Sequence, residues 1–173
     1  MAKAQDLVAR SGTRHDHVTV WSTPILFPSV GAYFTRLLTR LGYDAVQKNV
    51  SPDTYFPAVF GGRPVQIAFI GWTTDYPQPS GFIGQLAACD VAASTTGFCD
   101  PAIDARIARA ERLQLTDPTK SREAWASIEH DVMDQPPWVP LVSRSWTNAV
   151  SERLGNFQVS VQYGPLLDEM WVH

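Results

Sequence analysis

The chain is short of charge. Charged residues fill 18% of its 173 positions, against about 25% in ordinary domains. It has no basic run, and 14 Lys+Arg face 17 Asp+Glu for a net charge of −3, which argues against a nucleic-acid surface. No stretch approaches the roughly 18 consecutive apolar residues of a membrane-spanning helix. The first 20 residues lack both an apolar core and a small-residue cleavage site, so no signal peptide is expected within the chain. Cysteine is confined to Cys89 and Cys99. The strings that mark common enzymes are missing: no glycine-rich nucleotide loop, no metalloprotease HExxH, no nucleophile elbow and no CxxC pair. These absences remove the sharp enzyme hypotheses, and no catalytic residue, cofactor or metal is expected.

What is present describes a globular α/β chain. Hydrophobic residues make up 45% of it, enough to bury a core in a single domain of this length. Six tryptophans and 13 prolines beside so little charge suggest surface that something else covers.

Local signals set out the elements. Residues 2–10 read as a helix stopped at Ser11-Gly12, and residues 17–23 alternate as a β-branched strand. Ser29 is a candidate N-cap for a helix through Leu41, with Val30, Tyr33, Phe34, Leu37, Leu38 and Leu41 on one face and Gly42 as its stop. A second strand over residues 45–50 completes a βαβ unit, for which parallel strands and a right-handed crossover are expected. Ser51-Pro52-Asp53 opens a short helix to Phe60. Residues 65–72 are almost wholly apolar and read as a central strand covered on both faces. Residues 80–88 suggest another helix. Asp100-Pro101 and Asp117-Pro118 each start a longer one, with Ile103 and Ile107, then Trp125, Ile128 and Val132, facing inward. Residues 138–142, 146–150 and 157–162 read as late strands.

The chemistry-bearing residues are few. His15-Asp16-His17 has a metal-like spacing but no third ligand nearby, and reads as a polar entry to a strand. His130 lies on a helix whose other face carries Trp125 and Ile128, and reads as solvated; a hydrolase built on it is a distant third reading. Asp75 follows the most apolar strand, three residues after Trp72, on a loop of the kind where open α/β sheets bind ligands. There a carboxylate can accept charge-assisted hydrogen bonds from a cationic group beside an aromatic wall, or it can be a turn aspartate bonded to its own backbone. Cys89 and Cys99 enclose a loop-like stretch and are either two thiols or, in an oxidising compartment, a disulfide contributing roughly 3 kcal/mol.

Taken in order, these pieces resemble a known family. Gly71-Trp72-Thr73-Thr74-Asp75-Tyr76-Pro77-Gln78-Pro79, then Cys89, then Cys99-Asp100-Pro101-Ala102-Ile103-Asp104, is similar to the C-terminal half of the bacterial extracellular solute-binding proteins of family 5. These are the dipeptide- and oligopeptide-binding receptors of ABC importers. Ala4-Gln5-Asp6-Leu7-Val8-Ala9 leading to Val18-Thr19-Val20-Trp21, and Asp134-Gln135-Pro136-Pro137-Trp138-Val139-Pro140-Leu141, resemble the family as well. Gln78 stands where the family often has aspartate.

The resemblance implies one lobe of a type II periplasmic-binding-protein-like fold, a mixed sheet with helices on both faces. Residues 1–173 would form a single domain, the second lobe, with about 143–173 a segment that crosses back to the first. It implies that Asp75 holds the free α-amino group of a peptide, with Trp72 as the aromatic wall and Thr73 and Tyr76 on the same loop. It also implies that Cys89 and Cys99 pair as they do in some members. The partners implied are a peptide or other small solute, the first lobe of the same receptor and an ABC permease, with no nucleic acid, in an extracytoplasmic setting. A ligand-sensing module of a cytoplasmic regulator is the alternative. The apolar residues from Ser143 onward, Trp146, Val150, Phe157, Val159, Val161, Leu166, Leu167 and Trp171, need a cover. They would either fold back on their own lobe or pair with a second copy in an exchanged homodimer.

Overall fold

The structure, a computed structural model, describes every residue except Leu26, Phe27, Arg144, Trp146 and Val161, and of Pro28, Ala92, Ala93 and Ser94 it describes the backbone alone. The chain divides into two compact units: Met1–Gly71 with Ala93–Gly97, and Trp72–Ala92 with Phe98–His173.

The first unit is built on the expected βαβ motif. Helix α1 (Ala2–Ser11) ends where Gly12 turns to φ 76°. Strand β1 (His17–Ser22), helix α2 (Pro28–Leu41) and strand β2 (Asp44–Asn49) follow, and β1 and β2 run parallel with His17 opposite Asp44 and Ser22 opposite Asn49. Helix α2 starts at Pro28, so Ser29 sits inside its first turn and is not the N-cap. Proline suits that position because its missing N–H would have no partner there. At the other end Gly42, at φ 109°, donates its N–H to the carbonyls of Leu38 and Thr39, each at 3.1 Å. A residue with a Cβ adopts that backbone only under strain, so glycine ends the helix. Helix α3 (Pro52–Phe60) buries Tyr55, Ala58 and Val59. The apolar face of α2 is only half covered, and Tyr33 remains 54% exposed. Two strands about 5 Å apart are narrower than a helix of about 10 Å diameter.

The expected central strand over residues 65–72 is reduced to a single parallel bridge, Val20 to Ile67, with the Trp21 N–H donating to the Ile67 carbonyl at 2.8 Å. Residues 67–70 are half-buried. Side chains take over the backbone groups that a ladder would use. The Gln66 side chain accepts from the Thr19 N–H at 2.8 Å and donates to the His17 carbonyl at 3.2 Å. The Tyr55 hydroxyl donates to the Phe69 carbonyl at 2.6 Å and accepts the Phe69 N–H at 2.8 Å. With these groups engaged, the ladder cannot propagate along this segment. Burial raises the Tyr55 pKa above its ordinary value, a shift partly opposed by the hydrogen bond from Phe69.

The second unit has a helical core. A 3₁₀ turn (Pro79–Gly81) and helix α4 (Ile83–Ala87), separated by Phe82, occupy the stretch where one helix was expected. Helix α5 (Cys89–Thr95) replaces the loop expected between the cysteines; its backbone crosses from the second unit into the first. Helices α6 (Pro101–Thr116) and α7 (Pro118–Asp134) start as the sequence indicates. Asp100 accepts the N–H groups of Ala102 and Ile103, and Asp117 accepts that of Lys120. The Lys120 side chain, bonded to Asp117, holds that carboxyl below the ordinary aspartate range. Ile103, Ile107 and Ala110 of α6 meet Trp125, Ile128 and Val132 of α7, with Ala87 completing the cluster. Ala110 has no exposed surface, and its small side chain leaves its carbonyl open to the buried Ser121 hydroxyl, which donates to it at 2.9 Å.

The late strands are shorter than expected, and among the described residues only the run over 157–162 holds one where it was expected. Strand β3 (Leu154–Gly155) pairs antiparallel with β6 (Trp171–Val172), and β4 (Val159–Ser160) with β5 (Gly164–Pro165). The expected strands over 138–142 and 146–150 form none among the described residues, and Trp146 and Val161 lie outside them. Trp138 turns its indole N–H to the Leu86 carbonyl at 2.6 Å. Apolar alternation favours a strand only where a neighbouring edge exists to pair with it. Among the described residues the sheet is therefore three separate two-stranded pieces, one parallel and two antiparallel. Among the described residues no helix is long and apolar enough to cross a membrane.

Candidate functional site

The loop that carries Asp75 opens the second unit and is tied down by its own side chains. The Trp72 indole N–H donates to the Gly81 carbonyl at 3.1 Å, which half-buries the ring and fixes its plane. The Thr74 hydroxyl donates to the Tyr76 carbonyl and accepts the Tyr76 N–H. The Gln78 N–H also reaches the Tyr76 carbonyl, at 2.7 Å. Ser80 donates to the Tyr76 hydroxyl at 3.2 Å. Gly81 has to be glycine here, because a Cβ would stand 2.6 Å from the Thr74 hydroxyl and 3.3 Å from the Tyr76 carbonyl. Two tethers come from outside the loop. Gln114 of α6 donates to the Gln78 side chain, and Gln162 donates to the Asp75 carbonyl at 2.8 Å.

The structure therefore brings Trp72, Thr73, Asp75 and Tyr76 together on one short loop. Thr73, Asp75 and Tyr76 are exposed, and Trp72 is half-buried. An accessible carboxylate can accept charge-assisted hydrogen bonds from an ammonium group, and an indole on the same loop offers an apolar surface to a ligand. Ser80, Gly81, Gln114 and Gln162 shape the loop and were not singled out from the sequence. Gly81 carried a faint signal, as a glycine just after a Pro-rich loop. Gln162 carried none, since it lies 87 positions from Asp75.

Cys89 and Cys99 are bonded, with their Cα atoms 4.4 Å apart. The Cys89 N–H donates to the Asp104 carboxylate at 2.9 Å, so α6 holds the start of the bridged segment.

The histidines are placed apart from this loop in their bonding. His17 pairs with Asp44 at 2.8 Å across the parallel strands, and the exposed His15 sits at φ 74° just before β1. His130 lies 3.5 Å from Asp134 on α7, and with Asp131 these residues offer ligand atoms within 4.8 Å of one another, but Asp131 is engaged by Arg106. An open cleft of about 540 Å³ in the first unit is lined by residues including His17, Tyr43 and Gln66. It lies at the amino ends of β1 and β2, whereas open α/β sheets bind ligands at the carboxyl ends; of the candidates it takes in Asp16 and His17, and none of Trp72, Thr73, Asp75 and Tyr76.

No family model matches the chain. A curated relative, di/tripeptide-binding protein 1 of Pseudomonas aeruginosa, is 23% identical over 168 residues, covering 92% of this chain and 31% of the relative. Among solved structures, clavulanic acid biosynthesis oligopeptide binding protein 2 superposes with a TM-score of 0.80 at 20% identity, over 97% of this chain and 32% of that one. OppA of Burkholderia pseudomallei gives 0.79 at 23% identity, over 98% and 34%. A dipeptide binding protein from Pseudoalteromonas sp. SM9913, in complex with Met-Leu, gives 0.79 at 16%, over 99% and 35%. This is the fold of part of a type II periplasmic binding protein. The chain resembles the family 5 peptide-binding proteins along nearly its whole length, and it spans about a third of the length of these relatives. The expected lobe-like fold is thus shared, while the sheet within it is more fragmented than the apolar runs suggested.

Proposed function

We propose that this chain is the ligand-facing C-terminal lobe of a solute receptor that delivers peptides to an ABC importer, with Asp75 receiving the peptide's free α-amino group. The observation that carries the reading is the exposed Asp75 on a braced loop that also holds the fixed Trp72 indole, in a chain whose fold is shared with peptide-binding proteins. Thr73 and Tyr76 flank the ligand on that loop. The mechanism is binding without chemistry: a first lobe closes over the peptide, and the closed state is the one a permease recognises. The Cys89–Cys99 bond supports an oxidising, extracytoplasmic compartment over the cytoplasmic regulator reading. The names of the relatives, binding proteins throughout, support a receptor over an enzyme.

The test is calorimetric titration of the full-length receptor with a mixed dipeptide set and its N-acetylated counterpart. Asp75→Ala should cost about 2–5 kcal/mol with free amines, as when one partner of a buried charge pair is removed. Acetylated peptides should bind weakly and be insensitive to the change. Equal losses for both sets would make Asp75 a structural turn residue and end this reading.

A further inference from the structure

We propose that Gln162 is a positioning residue for the ligand loop, so that the C-terminal segment helps to aim the Asp75 carboxylate; the inference rests on the reading of Asp75 given above. Gln162 sits in the turn between β4 and β5, and Gly164, at φ 71°, lets that turn close. Its amide is oriented from behind. Ser160 Oγ donates to Gln162 Oε1 at 3.2 Å and accepts the N–H groups of Gln162 at 3.2 Å and Tyr163 at 3.3 Å. One hydroxyl hydrogen and two acceptor sites are the whole capacity of a serine side chain, so Ser160 is saturated. With Oε1 supplied by Ser160, the Gln162 amide presents Nε2, a pure donor, to the Asp75 carbonyl at 2.8 Å.

On the loop side, the Thr74 and Gln78 contacts hold the peptide units around Tyr76, while the bond from Gln162 holds the carbonyl of Asp75 itself. Fixing that carbonyl fixes the backbone torsion of Asp75, and with it the direction in which its side chain leaves the chain. A carboxylate held in place loses less freedom when an ammonium group docks, which is where preorganisation raises affinity. Coupling of this kind is reciprocal. A ligand on Asp75 then protects the β4–β5 turn, as the turn orders the ligand loop.

The experiment compares the full-length receptor with its Gln162→Glu, Ser160→Ala and Ser160→Thr variants. Glutamate keeps the shape of glutamine and loses the donor. Alanine frees the orienting end, and threonine keeps the hydroxyl. With Ala-Phe as probe, Gln162→Glu should weaken binding roughly three- to tenfold, the size of one net hydrogen bond. Ser160→Ala should weaken it less, and Ser160→Thr should leave it unchanged. N-acetyl-Ala-Phe should show no difference among them. Without ligand, hydrogen exchange at the Tyr76 and Gln78 amides should speed several-fold in Gln162→Glu while α6 and α7 are unchanged. Unchanged exchange at these amides, or equal losses for free and acetylated probe, would overturn the proposal. Asp75→Ala runs alongside. If it weakens Ala-Phe while Gln162→Glu does not, the positioning role alone fails. If it has no effect, or if Ala-Phe does not bind, the reading of Asp75 fails first and this proposal with it.

Discussion

Replacing Cys89 and Cys99 together by alanine isolates the contribution of one crosslink. The cysteines are 10 positions apart, and they are bonded at the edge of the helical core of the second unit. A ring of about 11 residues corresponds, in the chain-entropy model, to roughly 9 cal/mol/K removed from the unfolded chain, or about 3 kcal/mol at 25 °C. Little else changes. The Cys89 N–H keeps its bond to Asp104, and Asp100 still caps α6, because both contacts use groups that alanine leaves in place. Urea unfolding followed by circular dichroism at 222 nm is the assay. With a slope of roughly 2 kcal/mol/M, the midpoint should fall by about 1.5 M. Reduction of the unmodified chain should give the same shift. A loss under about 1 kcal/mol would refute the argument, because the unfolded chain would then be no less constrained without the bridge. Two freely alkylated thiols in protein isolated from its native compartment would refute the pairing itself and favour a cytoplasmic setting.

Ile128 has no exposed surface at the centre of the α6–α7 cluster, so Ile128→Ala should cost about 3–4 kcal/mol and Ile128→Val about 1, measured by the same unfolding assay. Tyr55→Phe strips both backbone groups of Phe69 of the hydroxyl and should cost about 1–3 kcal/mol in unfolding titrations, with faster hydrogen exchange over residues 67–70. Because burial raises the Tyr55 pKa in the folded chain, its contribution is fully present below the unfolded value near 10 and is lost as pH rises through the higher folded value; the Phe variant should lack that alkaline loss. The exposed Tyr163, Leu167, Trp171 and Val172 keep the exchanged homodimer testable: light scattering over a concentration series should show a dimer that disappears on truncation near Ser143. A monomer at every concentration rejects it.

The signals written in the chain itself were local ones. Asp100-Pro101 and Asp117-Pro118 start their helices because the carboxylate and the N–H groups it caps are two or three residues apart. Gly12 and Gly42 end theirs through the backbone of a single turn. The inward placement of Ile103 and Ile107 on α6, and of Trp125, Ile128 and Val132 on α7, follows from a spacing of three or four within each helix. The candidate loop was legible for the same reason: Trp72 to Tyr76 is contiguous, and its resemblance to a family needed no knowledge of contacts. What the sequence left open was settled by groups far apart in it. Gln66 and Tyr55 occupy the hydrogen-bonding groups that would have made residues 65–72 a full strand, and nothing in the apolar run announces them. Val159 and Ser160 find a partner in Gly164-Pro165, whereas Val139 and Val142 find no strand partner among the described residues and stay exposed. The brace that Gln162 places on Asp75 depends on the conformation of both segments at once. A strand and a tether each need a second surface at the right distance, and only the folded chain supplies it.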